Sequence, residues 1–353
     1  MKKKIIKIKD KYIGGDYPIL VQSMTNTKTS DFDATAKQIK EMIFHGVDLV
    51  RVSIFDDDDI LGLEKLIKYF EIPIIADIHF NSNYAIKAIN AGAHKIRLNP
   101  GNIKSEKQII EIINLAKSKN IPIRIGVNSG SIPDDLLDNN KVTPDVMLKT
   151  LDRYLEIFES KEFDNIVISL KSHDYLINKK VNEIAHEKYI YPIHAGVTES
   201  GPMISGLIKS TLGLSGLIEK NIINTMRISL TDDPNLEVIA AIKLLNILKK
   251  RNDRVDIISC PTCGRLEADL FSIVNEIEKY CSNLFFPLTI SILGCVVNGI
   301  GEGKQSDIGI ACSKQKAILF ENGKFLKNID ISDAINELKE LIDKKYLLYK
   351  GIL

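Results

Sequence analysis

Eight short apolar segments recur through the first 250 residues of the chain, and each is followed by a stretch with helical periodicity. The apolar segments span four to seven residues, which is the length of buried β-strands. We predict strands at residues 19–24, 49–54, 72–78, 95–98, 121–127, 166–170, 191–197 and 225–230. The clearest helical patterns lie at residues 34–45, 85–90, 107–119, 144–160 and 236–249. Eight strands that alternate with helices over about 250 residues predict a (β/α)8 barrel, the TIM barrel.

An open, doubly wound sheet is the competing interpretation of this alternation. It would need fewer strands and a phosphate-binding fingerprint, G-x-G-x-x-G, after the first strand, and the sequence has no such fingerprint there. Residues 4–16 add a predicted β-hairpin in front of the barrel. The predicted TIM-barrel domain, hairpin included, therefore spans residues 1–250.

A smaller α+β domain follows a short charged linker, and we assign it residues 254–353. Its predicted elements are strands at 255–259 and 288–293, helices at 268–280 and 332–346, and a hairpin that turns at Asn322-Gly323. Asn-Gly between apolar strands is a strong hairpin signal. The predicted fold class is therefore α/β, with an N-terminal TIM barrel followed by a smaller α+β domain.

The overall charge and hydropathy of the chain argue against some classes of function. A formal net charge of +1 in 353 residues offers no support for nonspecific nucleic-acid binding. No stretch approaches the roughly 20 apolar residues of a membrane span, and the basic amino terminus lacks the apolar core of a secretory signal. We expect a cytoplasmic protein that binds neither nucleic acid nor membrane.

Basic residues cluster at the carboxyl ends of the predicted barrel strands, where TIM barrels build their sites. Taken singly, each could be half of a structural ion pair, but five cations at one end repel one another unless an anion neutralises them. The counter-charges that we identify are Asp77 and Glu199, so the pattern predicts a polyanionic substrate, most simply a diphosphate. The candidate substrate-binding residues are Arg51, Asp77, His79, Arg97, Asn99, Arg124, Asn128, Lys171, Arg227 and Ser229.

Three of the side chains at this end could also bind a metal or transfer a proton. Asp77 and His79 lie two residues apart on one strand, so their side chains point to the same face. This supports a shared binding site, and the alternative is that both are ligands of a divalent metal. Glu199 lies in a Thr-Glu-Ser-Gly turn among the cations and is the candidate catalytic acid or base. The alternative for Glu199 is a salt bridge to Arg227 or Lys171.

The five cysteines are odd in number and all follow residue 259, which in a cytosolic chain indicates metal or redox work rather than disulfides. Cys260 and Cys263 have C-x-x-C spacing, and Cys295 follows 35 residues after Cys260, just before a glycine-rich loop. Three thiolates with a replaceable fourth ligand are typical of a catalytic iron–sulfur cluster with one accessible iron. By chemistry alone, the fourth ligand is Cys281 or Cys312.

Seven motifs in order resemble one enzyme family over essentially the whole chain. The chain is similar to the bacterial two-domain form of the 4-hydroxy-3-methylbut-2-enyl diphosphate synthases, which use flavodoxin or ferredoxin. The motifs lie at residues 21–27, 76–80, 97–102, 124–128, 196–199, 260–265 and 294–299.

The resemblance implies a reaction and its cofactor. The reaction is the reductive ring opening of 2-C-methyl-erythritol 2,4-cyclodiphosphate in the non-mevalonate (MEP) isoprenoid pathway, with loss of water and uptake of two electrons. The resemblance also implies a 4Fe-4S cluster on Cys260, Cys263 and Cys295, with Glu302 rather than a cysteine on the fourth iron. It further implies flavodoxin or ferredoxin as electron donor, and a homodimer in which each cluster domain caps the partner's barrel. Glu199 and Glu302 are the implied catalytic residues.

The chain departs from the family pattern at three places. Residues 221–224 read Asn-Ile-Ile-Asn where the family usually has Gly-Ile-Gly-Asp, just before the eighth strand. Ile300 stands where proline is common, and His173 follows Lys171-Ser172 where the family has Lys-Ala-Ser.

Two other functions are compatible with parts of the sequence. One is a non-redox barrel lyase or transferase that acts on a phosphorylated substrate and holds structural zinc on its cysteines. The other is a cluster-containing sensor that binds nucleic acid. The near-neutral net charge argues against the sensor, and a brown colour that is lost in air would distinguish iron from zinc.

Overall fold

The computed structural model describes residues 2–79, 81–99, 101, 103, 105–137, 141–282, 284–295 and 303–352. The chain divides into two compact units, Met1–Arg251 and Asn252–Leu353. None of the helices in the described part of the chain is long and apolar enough to cross a membrane.

The first unit is a parallel eight-stranded barrel. Its neighbouring strands are hydrogen-bonded in the order β8-β7-β6-β5-β4-β3-β10-β9, counting an N-terminal hairpin as β1 (Ile6–Ile8) and β2 (Lys11–Ile13). A single bridge between Ile168 and Ile193 closes the ring from β9 back to β8. The predicted TIM barrel is therefore confirmed. Its strands are β3 (Leu20–Met24), β4 (Leu49–Ile54), β5 (Ile74–Ile78), β6 (Lys95–Leu98), β7 (Ile123–Asn128), β8 (Ile166–Lys171), β9 (His194–Ala195) and β10 (Thr225–Met226).

Helices follow the strands and bury their apolar faces against the outside of the barrel. Local sequence sets their starts: the Thr143 hydroxyl accepts the Val146 N–H at 3.3 Å, and Pro144 occupies the first helical turn. Such an N-cap stabilises a helix by about 1 kcal/mol. The barrel helices are α1 (Phe32–Phe44), α2 (Asp57–Tyr69), α3 (Ser82–Asn90), α4 (Glu106–Ser118), α5 (Pro144–Glu159), α6 (Tyr175–Lys188), α7 (Met203–Glu219) and α8 (Pro234–Ile247).

Strands β9 and β10 are two residues long, much shorter than the predicted segments 191–197 and 225–230. After Ala195 the chain passes very close to the neighbouring backbone, since a Cβ on Gly196 would lie 2.4 Å from the Arg227 carbonyl oxygen. Glu199 and Gly201 then adopt left-handed backbone angles, with φ of 52° and 97°. The turn ends the hydrogen-bonded pairing of β9 with its neighbours, and the chain continues along the carboxyl end of the barrel, which we call the barrel mouth.

The N-terminal hairpin closes the amino-terminal end of the barrel. Its strands pair antiparallel, and Ile6, Ile8 and Ile13 are buried. They pack on four apolar residues that lie at or near the starts of barrel strands. Together the three hairpin residues and the four strand residues form one cluster, which we call the floor: Ile6, Ile8, Ile13, Leu20, Leu49, Ile75 and Val167. Each fully buried isoleucine stabilises the fold by roughly 1.5–3 kcal/mol, so the hairpin is an integral part of the barrel.

The Asn-Ile-Ile-Asn segment, residues 221–224, connects α7 to β10. Asn221 follows α7 with φ of 54°, a left-handed conformation that asparagine tolerates better than most residues. Asn224 is buried, and its Oδ1 accepts the Ile193 N–H at 3.0 Å while its own N–H donates to the Ile193 carbonyl at 2.9 Å. The segment therefore ties the amino-terminal ends of β9 and β10 together.

In its described residues, the second unit is a five-stranded mixed sheet with two helices packed on its apolar core. The sheet order follows the chain, with the first three strands parallel and the last two added antiparallel. Asn322 and Gly323 both have positive φ, 48° and 69°, as a type I′ hairpin turn requires, so the predicted hairpin is confirmed. The elements are β11 (Val255–Ser259), α9 (Leu270–Cys281), β12 (Leu288–Leu293), β13 (Ile308–Cys312), β14 (Lys316–Glu321), β15 (Lys324–Asp330) and α10 (Ala334–Tyr349).

Candidate functional site

The barrel lumen is lined by charged side chains above the apolar floor. Side chains alternate along a strand, so a residue two positions beyond a floor residue also faces the lumen. This places Arg51 above Leu49 and Asp77 above Ile75. All five predicted cations belong to barrel strands or follow one directly. Four are buried, namely Arg51, Arg97, Arg124 and Lys171, and Arg227 is partly exposed.

Asp77 links three of the predicted site residues. Its carboxylate lies 3.5 Å from Arg51 Nε, 3.4 Å from Arg97 Nη1 and 3.3 Å from His79 Nε2. Burial would raise the pKa of Asp77, but Arg51, the hydrogen bond from His79 and Arg97 together hold that pKa well below its usual range. Asp77 and His79 therefore contact each other directly, and Asp77 stays ionised.

Glu237 is a second buried carboxylate, and the sequence analysis missed it. It forms a two-pronged ion pair with Arg227, with Nε–Oε2 and Nη2–Oε1 distances of 3.0 and 3.1 Å. Its oxygens also accept the Ser23 hydroxyl at 2.9 Å and the Leu230 N–H at 3.0 Å. Glu237 lies in the first turn of α8, where acidic residues are common because they interact favourably with the helix dipole. Its sequence position therefore gives no sign of a role in the site.

Replacing Glu237 by glutamine should destabilise the barrel strongly. Glu237 is buried, and removing its charge leaves the partly exposed Arg227 uncompensated among other cations. We expect the free energy of unfolding to fall, by at most about 3–5 kcal/mol, the range for a fully buried pair. Chemical denaturation of the full chain measures this. The exposed Glu187→Gln on α6 is the matched control and should change stability by less than about 0.5 kcal/mol. A Glu237 variant as stable as this control would contradict the structural role.

Several buried donors in the lumen have no hydrogen-bond partner among the described residues. They include Arg97 Nε, Arg124 Nε and Nη2, and Lys95 Nζ. Arg124 does donate Nη1–H to the Ser169 hydroxyl at 2.7 Å. Buried polar atoms are nearly always paired in proteins, so unpaired donors on cations indicate that the lumen accommodates an anion.

Burial and the many positive charges in the lumen lower the pKa of its buried lysine and histidine side chains. Burial, and then Arg124 and Arg51, hold the pKa of Lys171 well below its usual range. Burial, and then Lys171 and Arg124, also lower the pKa of His194, whose Nδ1 lies 2.8 Å from the Thr225 hydroxyl. An anion in the lumen would oppose these shifts, because a nearby negative charge favours protonated bases.

Met24 supplies an uncharged acceptor between two of the arginines. Its sulfur lies 3.1 and 3.0 Å from Nε and Nη2 of Arg51, and 3.7 Å from Nη1 of Arg227. A thioether is a weak acceptor and carries no charge. Met24 therefore orients both guanidinium groups without neutralising them.

The Glu199 side chain is exposed at the barrel mouth. Its turn is held by the Ser200 hydroxyl, which donates to the Ser229 carbonyl, and by the Thr231 N–H, which donates to the Gly201 carbonyl at 3.0 Å. The alternative of a salt bridge to Arg227 or Lys171 is not observed, since Arg227 pairs with Glu237 and no described residue pairs with Glu199. The acid or base role of Glu199 stays a prediction.

The two predicted asparagines lie at neighbouring strand ends. Asn99 is buried directly after β6, and its Oδ1 has no partner among the described residues. Asn128 ends β7 and pairs with Lys171 across β7 and β8. Both can add neutral hydrogen-bonding groups to the cationic lumen.

The cysteines of the C-x-x-C motif and Cys295 follow adjacent parallel strands of the second unit. Cys260 comes directly after β11, and Cys295 comes two residues after β12, so both lie at the same edge of the sheet. The Gly294 N–H donates to Cys260 Sγ at 3.2 Å. Hydrogen bonds from the Arg265 backbone and side chain lower the pKa of the exposed Cys263 thiol. Both contacts stabilise thiolate sulfur, the form that binds iron.

The other two cysteines differ in chemistry. Burial raises the pKa of both Cys281 and Cys312 to about 12, so they remain thiols in an apolar core. Among the described residues, no set of three His, Cys, Asp or Glu side chains is close enough to hold a metal ion. Glu302, the predicted fourth ligand, lies outside the described residues. The donor set nevertheless fits an iron–sulfur cluster, because it offers three cysteines that are exposed or partly exposed, and the sulfurs of Cys260 and Cys263 accept N–H groups.

The chain resembles solved structures whose sequences are less than 20% identical to it. A dihydropteroate synthase from Yersinia pestis matches with a TM-score of 0.51 and 14% identity, covering 69% of this chain and 97% of that one. A dihydropteroate synthase from Stenotrophomonas maltophilia matches with a TM-score of 0.51 and 16% identity, covering 70% and 97%. At this identity the likeness shows the fold alone.

Family models and relatives cover nearly the whole chain. The GcpE TIM-barrel domain matches residues 3–242, and the GcpE protein C-terminal domain matches residues 256–344. Relatives named 4-hydroxy-3-methylbut-2-en-1-yl diphosphate synthase (flavodoxin) include that of Malacoplasma penetrans, 49% identical over 99% of this chain and 96% of its own length. That of Aquifex aeolicus is 43% identical over 94% of each chain. The chain therefore belongs to the GcpE family.

Proposed function

We propose that the chain converts 2-C-methyl-D-erythritol 2,4-cyclodiphosphate to (E)-4-hydroxy-3-methylbut-2-enyl diphosphate, as an iron–sulfur oxidoreductase of the non-mevalonate (MEP) pathway. The observation that carries the proposal is the barrel lumen. It holds six lysine and arginine side chains, Arg51, Lys95, Arg97, Arg124, Lys171 and Arg227, against two described carboxylates, Asp77 and Glu237. The relatives' name supports the reaction, since its product is a diphosphate.

The lumen would bind the diphosphate through its unpaired donors. The planar forks of Arg51, Arg97 and Arg124 suit phosphate oxygens, and Lys171 adds a compact charge. Arg51 is already oriented by Asp77 and Met24, so little ordering is needed when the ligand binds. Remaining contacts would come from His79, Asn99, Asn128, Arg227 and Ser229.

Cys260, Cys263 and Cys295 would hold the 4Fe-4S cluster, and Glu302 is the proposed fourth ligand. The chemistry that a bound cluster supplies is delivery of the two electrons that the reaction takes up. The chain has no flavin or nicotinamide fingerprint, so we propose that flavodoxin or ferredoxin donates them. The word flavodoxin in the relatives' name favours the first donor.

Glu199 would supply the proton for the hydroxyl that leaves as water. Its carboxyl group is at the mouth and has no described partner, so it is free to face a ligand. Its left-handed backbone stores strain, as residues at functional sites often do. Carboxyl groups are common catalytic acids.

We also propose a cytoplasmic homodimer in which the cluster domain of each subunit caps the partner's barrel. The support in the structure is an exposed apolar stripe on α7, formed by Ile204, Ile208 and Leu212. These residues are spaced four apart and lie on one helix face. Apolar surface of this kind marks interfaces between proteins.

One experiment tests the proposed reaction. The full chain is purified without oxygen, its iron and sulfide are counted, and turnover of the cyclodiphosphate is measured with a reduced flavodoxin or ferredoxin system. We expect a 4Fe-4S content and formation of the linear diphosphate. Lys171→Met should keep the cluster while KM rises about tenfold or more, because a hydrogen bond to a charged group is worth about 1.5–3 kcal/mol and about 1.4 kcal/mol corresponds to tenfold. A zinc-containing protein without redox turnover would overturn the proposal.

A further inference from the structure

Lys95 interrupts the apolar floor of the barrel. It pairs with Ile75 across β5 and β6, and Ile75 belongs to the floor together with Leu49 and Val167. The Lys95 side chain is completely buried, and its Nζ has no hydrogen-bond partner among the described residues. Burying a polar group without a partner destabilises a protein. Breaks of this kind in an otherwise consistent pattern concentrate at functional sites.

The position of Lys95 directs it towards the anion site. It precedes Arg97 by two residues, so both side chains face the lumen, about 6.6 Å apart along the strand. The charged groups around it come from three other strands: Arg124 on β7, Arg51 on β4 and His194 on β9. The described lumen carboxylates, Asp77 and Glu237, already pair with arginines.

The charge of Lys95 depends on what the lumen holds. Burial first, and then the charges of Arg124 and Arg51, keep the pKa of Lys95 well below its usual range, which favours the neutral amine. A diphosphate bound to the neighbouring arginines would reverse the balance of charge, and a nearby anion favours the ammonium form.

We propose that Lys95 is a further member of the anion site, neutral without a bound anion and protonated when a diphosphate enters the barrel. Binding then takes up one proton from solvent, and the proton resides on Lys95 Nζ beneath the phosphates. The arrangement adds a positive charge only while an anion is present to balance it. This inference rests on the proposed function, since it requires a polyanion in the lumen.

Calorimetric titration with inorganic pyrophosphate tests the proton uptake. The full chain is compared with Lys95→Met, because methionine has a similar length and no charge. Titrations in two buffers with different heats of ionisation give the number of protons taken up per pyrophosphate bound. We expect net uptake by the wild-type protein, up to one proton less in the variant, and affinity about tenfold weaker in the variant.

Thermal unfolding without pyrophosphate gives a second readout. Removing an unpaired buried amine should raise the Tm of Lys95→Met, whereas the loss of a structural contact would lower it. Lys65→Met, at an exposed position on α2, is the matched control and should change neither proton uptake nor affinity.

The outcomes separate the two proposals. If Lys95→Met binds pyrophosphate with wild-type affinity and proton uptake, or if its Tm falls, Lys95 is not a member of the anion site and the proposed function stands. If the wild-type protein does not bind pyrophosphate at all, the anion site and the proposed function fail together.

Discussion

Replacing Cys263 by serine should abolish turnover and remove the iron–sulfur absorption of anaerobically purified protein. The hydrogen bonds from Arg265 lower the pKa of this exposed thiol and favour the thiolate that binds iron. A serine hydroxyl has a similar size but does not ionise near neutral pH. Changes in the residues that merely support metal ligands cost about 10–100-fold, so loss of a ligand should lower turnover by more than about a hundredfold.

Cys281→Ala is the matched control for this substitution. Cys281 is buried at the end of α9, and burial raises its pKa to about 12, so it lacks the chemistry of a ligand. We expect this variant to keep its iron, sulfide and turnover and to lose about 1 kcal/mol of stability. Full iron content in Cys263→Ser, or loss of iron in Cys281→Ala, would show that the ligand set is assigned wrongly.

Glu199→Gln should lower turnover by about 10²–10⁴-fold and leave the cluster intact. Glutamine keeps the length of the side chain but cannot donate the proton that leaves in water. Iron and sulfide counts, the visible spectrum and kcat, measured on one preparation, separate a catalytic defect from a structural one. We expect KM to change much less than kcat, since the cations that we propose to bind phosphate are untouched.

The exposed Glu187→Gln on α6 controls for loss of one surface carboxylate. It should have wild-type turnover. A Glu199→Gln enzyme with the same kcat as this control would exclude Glu199 as the proton donor. A variant that loses its iron would instead connect Glu199 with the integrity of the cluster.

The barrel could be predicted because its signal is local. Each strand appears as an apolar segment and each helix as a periodic one, and their alternation leaves few folds to choose from. The lengths of β9 and β10 could not be predicted. They depend on the close approach of Gly196 to the Arg227 carbonyl, and that contact joins residues from different strands.

The site was predictable mainly where its residues lie at the expected end of the strands. Arg97, Lys171 and Arg227 met that condition. Arg51 lies in the middle of β4 and Arg124 is the second residue of β7, so the alternation of side chains, not the strand end, brings these two into the lumen. Glu237 was missed because it belongs to a helix and enters the site only through tertiary packing. Lys95, the further member that we propose, was missed because it is the first residue of its strand and a site was sought at the other end. The role of Met24 as a hydrogen-bond acceptor was not predicted, because methionine is normally classed as an apolar residue.

The apolar floor has a kinetic consequence. Because the described residues of the hairpin cover the amino-terminal end, we expect the lumen to open at the opposite end. Substrate entry, water escape and product departure all share that opening. A diphosphate product that lingers on the arginines therefore blocks the next molecule of substrate, which makes product release a candidate for the slowest step of the cycle.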